Sequence, residues 1–193
     1  MLFCGMTGSI AMGKSTTAAM FRRRGIPVHD ADATVHRLYR GRAAPLIEAE
    51  FPGSTKDGVV DRASLSALVL NEPDRLARLE EIVHALVAEE ENRFRDTVRA
   101  RGDRLAVLDI PLLFETGADR RVDFSLVVTA DAAIQRNRVL KRLGMTPEKF
   151  QAILDRQMPD AQKRRRAHFL IDTGLGIDAA TARWARSWPP SRR

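Results

Sequence analysis

Eight residues near the N-terminus, Gly8-Ser9-Ile10-Ala11-Met12-Gly13-Lys14-Ser15, have the types and spacing of a phosphate-binding loop, G-x-x-x-x-G-K-S/T. Gly8 and Gly13 tolerate positive φ, so the chain can curl until several backbone N–H groups point inward at an anion. Lys14 can reach the β- and γ-phosphates of a nucleotide as a mobile point charge, and the Ser15 hydroxyl can ligate Mg²⁺. Three carboxylates further on could complete such chemistry. Asp30 and Asp32 end one short apolar run, and Asp109 ends another. An acid at the C-terminal end of a strand sits at the rim where ligands of an α/β sheet bind. Asp109 in that place suits a metal site or an ordered water, or simply caps nearby backbone. Gln135, Arg136, Arg138, Lys141 and Arg142 form a basic run. Arg138 and Arg142 are its candidates for closing over a transferring phosphoryl group, the alternative being a solvated helix face.

These residues need a frame. The loop requires a strand before it and a helix after it, and Leu2-Phe3-Cys4-Gly5-Met6 is apolar enough to be a doubly buried strand. A helix over residues 15–24 follows, closed by Gly25, and its dipole adds positive potential at the loop. Residues 26–29 read as a second strand whose alternation would put Asp30 and Asp32 on one face. Asp32 is also a candidate N-cap for a helix over 33–39. From Gly41 to about Arg101 the strand–helix alternation stops. Helices are expected at 45–51 and 62–70, separated by a polar, turn-like stretch at 56–60. Asn71 with Pro73 then starts a long helix with an apolar stripe through Leu76, Leu79, Ile82, Val83, Leu86, Val87 and Phe94. His84 lies on it, and a histidine there is commonly structural or solvated. Strands at 105–109, 124–129 and 169–171 resume the alternation. Helices are expected at 131–143, from Thr146-Pro147 to about 157, and at 179–188, with Lys163 to Arg166 as an exposed face. The pattern is a parallel sheet flanked by helices with one helical insertion. It divides into a core (1–40, 102–135, 168–193), a helical acceptor-binding region (41–101) and a lid region (136–167).

The 193 residues suit one domain with insertions. No uncharged apolar run reaches the roughly 18 residues that a membrane span needs, and no signal-peptide pattern is apparent. The one cysteine, Cys4, cannot form an internal disulfide, which makes a reducing cytoplasm the expected compartment. A net charge of +7 favours anionic partners. Aromatic content of only 6% and dispersed arginines favour small phosphorylated ligands over nucleic acid. A nucleotide-dependent phosphotransferase follows, with no membrane partner; a monomer or weak homo-oligomer is the expectation for its assembly, which the sequence itself does not fix.

Over nearly its whole length the sequence resembles the dephospho-CoA kinases. The resemblance rests on residues 7–16 with Thr7 and Thr16 flanking the loop, on Gly25-Ile26 leading to Asp30-Ala31-Asp32, on His84, and on Asp109-Ile110-Pro111-Leu112-Leu113-Phe114-Glu115. Gln135, Arg138, Arg142 and Arg156-Gln157 complete it in order. It implies an α/β P-loop fold of nucleoside-monophosphate-kinase type, with a five-stranded parallel sheet, an acceptor-binding insertion and a lid. It also implies ATP- and Mg²⁺-dependent phosphorylation of the ribose 3′-hydroxyl of dephospho-CoA, giving coenzyme A and ADP. Asp32 matches the family's general base, and Thr7, His84, Leu112, Leu113, Phe114 and Glu115 fall where the family shapes the acceptor site. Four positions depart from the family pattern: Ala11 stands where glycine is common, Met12 where a small residue is, Ala85 where proline is, and Thr173 near a usual Asn. Ala11 must then adopt whatever φ its place requires. The rival readings are a nucleoside or nucleotide kinase on the same fold, and a non-catalytic nucleotide switch or nucleic-acid-associated ATPase.

Overall fold

A computed structural model describes residues 1–70 and 72–176. The expected helix at 179–188 and the start signal at Asn71 lie outside the described residues. Two compact units are present: His29–Arg101 is one, and Met1–Val28 with the described residues from Gly102 onward is the other. The expected lid region clusters within the second of these.

That unit is built on strands β1 (Leu2–Thr7), β5 (Leu105–Asp109), β6 (Phe124–Thr129) and β7 (Phe169–Asp172), all parallel. With β2 (Val28–Asp30) they form a five-stranded sheet in the order β2-β5-β1-β6-β7. The central strands are almost entirely buried, as sheets covered on both faces require. Cys4, Met6, Val107, Leu126 and Val128 pack against Met20 and Phe21 of helix α1 (Lys14–Arg23). Burial pushes the Cys4 thiol well above its ordinary range, which suits a core residue and not a nucleophile. Helix α1 ends as expected: Gly25 has φ +73°, and Gly25 N–H and Ile26 N–H donate to Arg22 O and Phe21 O. These paired bonds are a Schellman stop. Helices α6 (Ala132–Leu140), α7 (Pro147–Leu154) and α8 (Asp160–Arg166) complete the unit, and the Asp131 and Thr146 side chains cap the first two.

The His29–Arg101 unit packs helices α2 (Ala31–Tyr39), α3 (Ala43–Glu50) and α4 (Arg62–Val69) with the 28-residue α5 (Pro73–Ala100). Leu79, Val83 and Leu86 of the expected stripe meet Leu38, Ile47, Phe51 and Leu65 in its core. Leu76 is exposed. The stretch expected to be turn-like is a hairpin, β3 (Thr55–Lys56) paired antiparallel with β4 (Val59–Val60). Asp57 (φ 51°) and Gly58 (φ 75°) give it the two left-handed residues of a type I′ turn.

Candidate active site

The phosphate-binding loop is held from every side. Gly13 has φ +96°, and a Cβ there would lie 2.9 Å from the Thr173 hydroxyl. Gly8 is required for a different reason than expected. Its φ is not positive, but a Cβ would come within 2.5 Å of Val128 O, closer than any side chain tolerates. Ala11 adopts φ 60°, left-handed backbone in which a Cβ is strained.

Both peptides beside that strained residue are pinned. Ile10 O accepts a hydrogen bond from Gln135 Nε2 (2.8 Å), and Ile10 N–H donates to Gln157 Oε1 (3.1 Å). Met12 O accepts from the Thr173 hydroxyl (2.8 Å), Met12 N–H donates to Ser9 O, and Met12 Sδ accepts from Ala130 N–H (3.1 Å). Arg138 in turn donates to both the hydroxyl and the carbonyl of Thr173, each at 2.9 Å. Arg138 is thereby tied to the β7 exit loop beside the cradle. Arg142 lies past the end of α6, exposed to solvent. A cavity of about 400 Å³ opens beside Ser9, Gln135 and Gln157. Of these anchors Arg138 is the one that local chemistry singles out, while Gln135, Gln157 and Thr173 enter through the family resemblance. Gln135 is 125 residues from its partner, and nothing near it in the chain announces the contact.

Lys14 Nζ donates to Asp109 Oδ1 at 2.6 Å, and Asp109 is only 1% exposed. The parallel register of β1 and β5 sets Asp109 opposite Met6, just before the loop begins. Ser15 and Thr16 are exposed in the first turn of α1. The Thr7 hydroxyl donates to Pro111 O (2.8 Å). Beyond Pro111, Leu112 is exposed while Leu113 and Phe114 are core residues, with the Arg166 guanidinium 4.6 Å from the Phe114 ring. Glu115 Oε1 accepts from Met158 N–H and pairs with Lys163 Nζ, both at 2.8 Å. Burial alone would raise the Glu115 carboxyl, but the Lys163 and Met158 hydrogen bonds outweigh it and hold it below its ordinary value. Lys163 is wholly buried, a correction to the exposed face expected for residues 163–166. Only Arg164, Arg165 and Arg166 are exposed.

In the other unit Asp32 does not share a strand face with Asp30. Asp30 is the N-cap, its carboxylate accepting from Ala33 N–H (2.9 Å), and Asp32 stands exposed in the first turn of α2. Asp32 therefore has no capping bond to give up before it can meet a substrate. His36, one turn later on the same helix face, joins it in lining a groove of about 760 Å³. His84 is exposed on α5.

The sequence profile of the dephospho-CoA kinases matches residues 2–178. The chain belongs to the dephospho-CoA kinase family. It is 59% identical to the dephospho-CoA kinase of Mesorhizobium japonicum over 182 residues, 94% of this chain and 92% of that protein. Among solved structures it is similar to a Thermus thermophilus protein, 34% identical with a TM-score of 0.83, over 96% of this chain and 95% of that one. The dephospho-CoA kinase of Campylobacter jejuni shares the fold at 23% identity, with a TM-score of 0.69 over 96% and 94% of the two chains. The activity is the family's: phosphoryl transfer to dephospho-CoA, giving coenzyme A. Among the described residues no helix is long and apolar enough to cross a membrane.

Proposed function

We propose that the chain transfers the γ-phosphoryl group of ATP to the ribose 3′-hydroxyl of dephospho-CoA with the following division of labour. The backbone N–H groups of residues 8–16 and Lys14 receive the β- and γ-phosphates. Lys14 already lies against a buried carboxylate, and an arriving triphosphate gives it a second anionic partner. Asp32 takes the hydroxyl proton as general base. Phosphoryl transfer needs charge neutralisation and alignment more than covalent chemistry, so Arg138 and Arg142 contribute charge at the equatorial oxygens. Arg138 does so from a fixed seat, and Arg142 from an exposed turn that is free to close. Thr7, His84 and residues 112–115 belong to the acceptor's surroundings, the buried Leu113 and Phe114 by supporting the backbone that presents Leu112.

Mg²⁺ fits the same place. The Ser15 hydroxyl is exposed, and among the described residues no trio of His, Cys or acidic side chains gathers to hold a metal alone. Such a sparse donor set suits Mg²⁺, which keeps several waters and takes other ligands from phosphate. Ser15 and Asp109 are the residues that would hold it, and when bound it neutralises phosphate charge. The state proposed is a cytoplasmic monomer or weak homo-oligomer acting on small molecules.

The observation that carries this reading is the loop, a strained anion cradle with a lysine poised at its mouth by a buried aspartate. The test is ADP release measured with ATP alone and with ATP plus dephospho-CoA, the product's phosphate position read by ³¹P and ¹H NMR. Acceptor-dependent ADP release with a 3′-phosphate is expected. Release indifferent to dephospho-CoA would favour the ATPase reading, and transfer to nucleoside monophosphates would favour the nucleotide-kinase reading.

A further inference from the structure

The groove that Asp32 lines lies wholly within the His29–Arg101 unit, and its lining carries two chemistries. Val35, Leu65, Val69 and Leu79 supply apolar surface, and Asp32, His36, Tyr39 and Arg62 supply polar groups. Arg62 lines this groove and, like Arg75 over Phe51 (5.4 Å), rests on an aromatic ring. Arg42, Arg78, Arg93, Arg95 and Arg99 each sit on a carboxylate. Arg62 instead lies with its guanidinium 5.4 Å from the Tyr39 ring centroid, and no ion pair is formed by it among the described residues. Its neighbour Asp61 cannot neutralise it, being engaged by Lys56 Nζ (2.7 Å), the Ser64 hydroxyl (2.8 Å) and Ala63 N–H. The aromatic face orients the guanidinium without cancelling its charge, and its N–H donors remain open in the plane of the fork.

A groove with an uncompensated guanidinium, a carboxylate and an apolar wall calls for a ligand with an anion, a hydroxyl and an apolar arm. Dephospho-CoA has all three: a diphosphate, a ribose and a pantetheine arm. We propose that Arg62, seated on Tyr39, is the residue that selects dephospho-CoA by binding its diphosphate, and that the wall formed by Leu65, Val69 and Leu79 takes the pantetheine arm. This deepens the functional reading above and rests on its choice of acceptor. ATP, whose phosphates the loop receives, makes no use of Arg62.

Isothermal titration of the full chain separates the possibilities. Arg62→Ala is expected to weaken dephospho-CoA binding roughly 10- to 100-fold, as for loss of a charge-assisted bidentate contact, while ATP binding changes less than about twofold. Arg62→Lys, which keeps the charge but not the fork, is expected to fall between. 4′-Phosphopantetheine, which carries the arm and one phosphate without the nucleoside, is expected to bind the wild type and lose that binding in Arg62→Ala. Arg62 is exposed, and an unchanged melting temperature shows that the variants are folded. Undiminished binding of dephospho-CoA by Arg62→Ala, or an equal loss of ATP binding, overturns the assignment. If the wild type binds dephospho-CoA through Arg62 yet never consumes ATP with it, the groove stands and the kinase reading fails.

Discussion

Ala11 holds a left-handed backbone that costs an L-residue about 1–2 kcal/mol, and it does so between an Ile10 carbonyl bonded by Gln135 and a Met12 whose N–H is bonded to Ser9 O and whose carbonyl is bonded by Thr173. The sequence shows that Ala11 departs from glycine. It does not show the price in φ, nor that Gln135, Gln157 and Thr173 hold the strain in place, because those contacts form only once distant segments meet. Two outcomes follow. Ala11→Gly removes the strained Cβ and is expected to raise stability by about 1 kcal/mol, some 2–4 °C in melting temperature. Gln135→Met and Gln157→Met keep volume and lose one hydrogen bond each. Both are expected to raise KM for ATP roughly tenfold while leaving dephospho-CoA affinity unchanged, a split that general destabilisation does not produce. Lys163→Met strands the Glu115 carboxylate among buried groups and is expected to cost roughly 3 kcal/mol in urea unfolding, most of it recovered by adding Glu115→Gln. Lys163 reads as exposed in the sequence because it belongs to a run of four basic residues, and a run of charge conceals the one member that points inward.

Among the elements, those whose signals are local were legible. The strand at 105–109, the α1 stop at Gly25 and the helix start at Thr146-Pro147 each depend on residues within a few positions. Asp32 was open to the cap role because a boundary two residues off exchanges cap for first turn; the strand runs one residue further, to Asp30, and the cap moves with it. The β3–β4 hairpin carries a favoured type I′ pair, Asp57-Gly58, but its two-residue strands are too short to show an alternation in the sequence. Helix α6 stops at Leu140, earlier than expected. Arg142 N–H turns back to Val139 O and Leu143 is fully exposed, so no packing sustains another turn. Strand β2 carries a pH response. His29 is buried against Phe94, and burial lowers its pKa from 6.5 despite the raising influence of Glu91. Between the folded value and 6.5 the unfolded chain binds the extra proton, so stability falls as pH drops through that window and is regained above it. Urea unfolding from about pH 7 to about pH 5 is expected to show this loss, and His29→Phe to flatten it.

At the scale of the whole molecule, two compact units divide the chemistry: the loop, Asp109 and Arg138 in one, Asp32, His84 and the Arg62 groove in the other. The parallel α/β pattern and the helical insertion were readable from alternation and its interruption. The groove was not, because Asp32, Arg62 and Leu79 come from three separate helices. Hydrogen exchange is expected to respond in two parts, with ATP protecting residues 8–16 and the turn around Gln157, and dephospho-CoA protecting α2 and α4. Protection of the same peptides by both ligands would contradict the division. The central claim is that one carboxylate takes the proton while everything else places charge, and the kinetics of Asp32→Asn test it most directly. Turnover is predicted to fall roughly 100-fold or more while the binding of ATP and of dephospho-CoA stays within about twofold of wild type. Near-normal turnover in that variant would remove Asp32 from the base role and contradict the account.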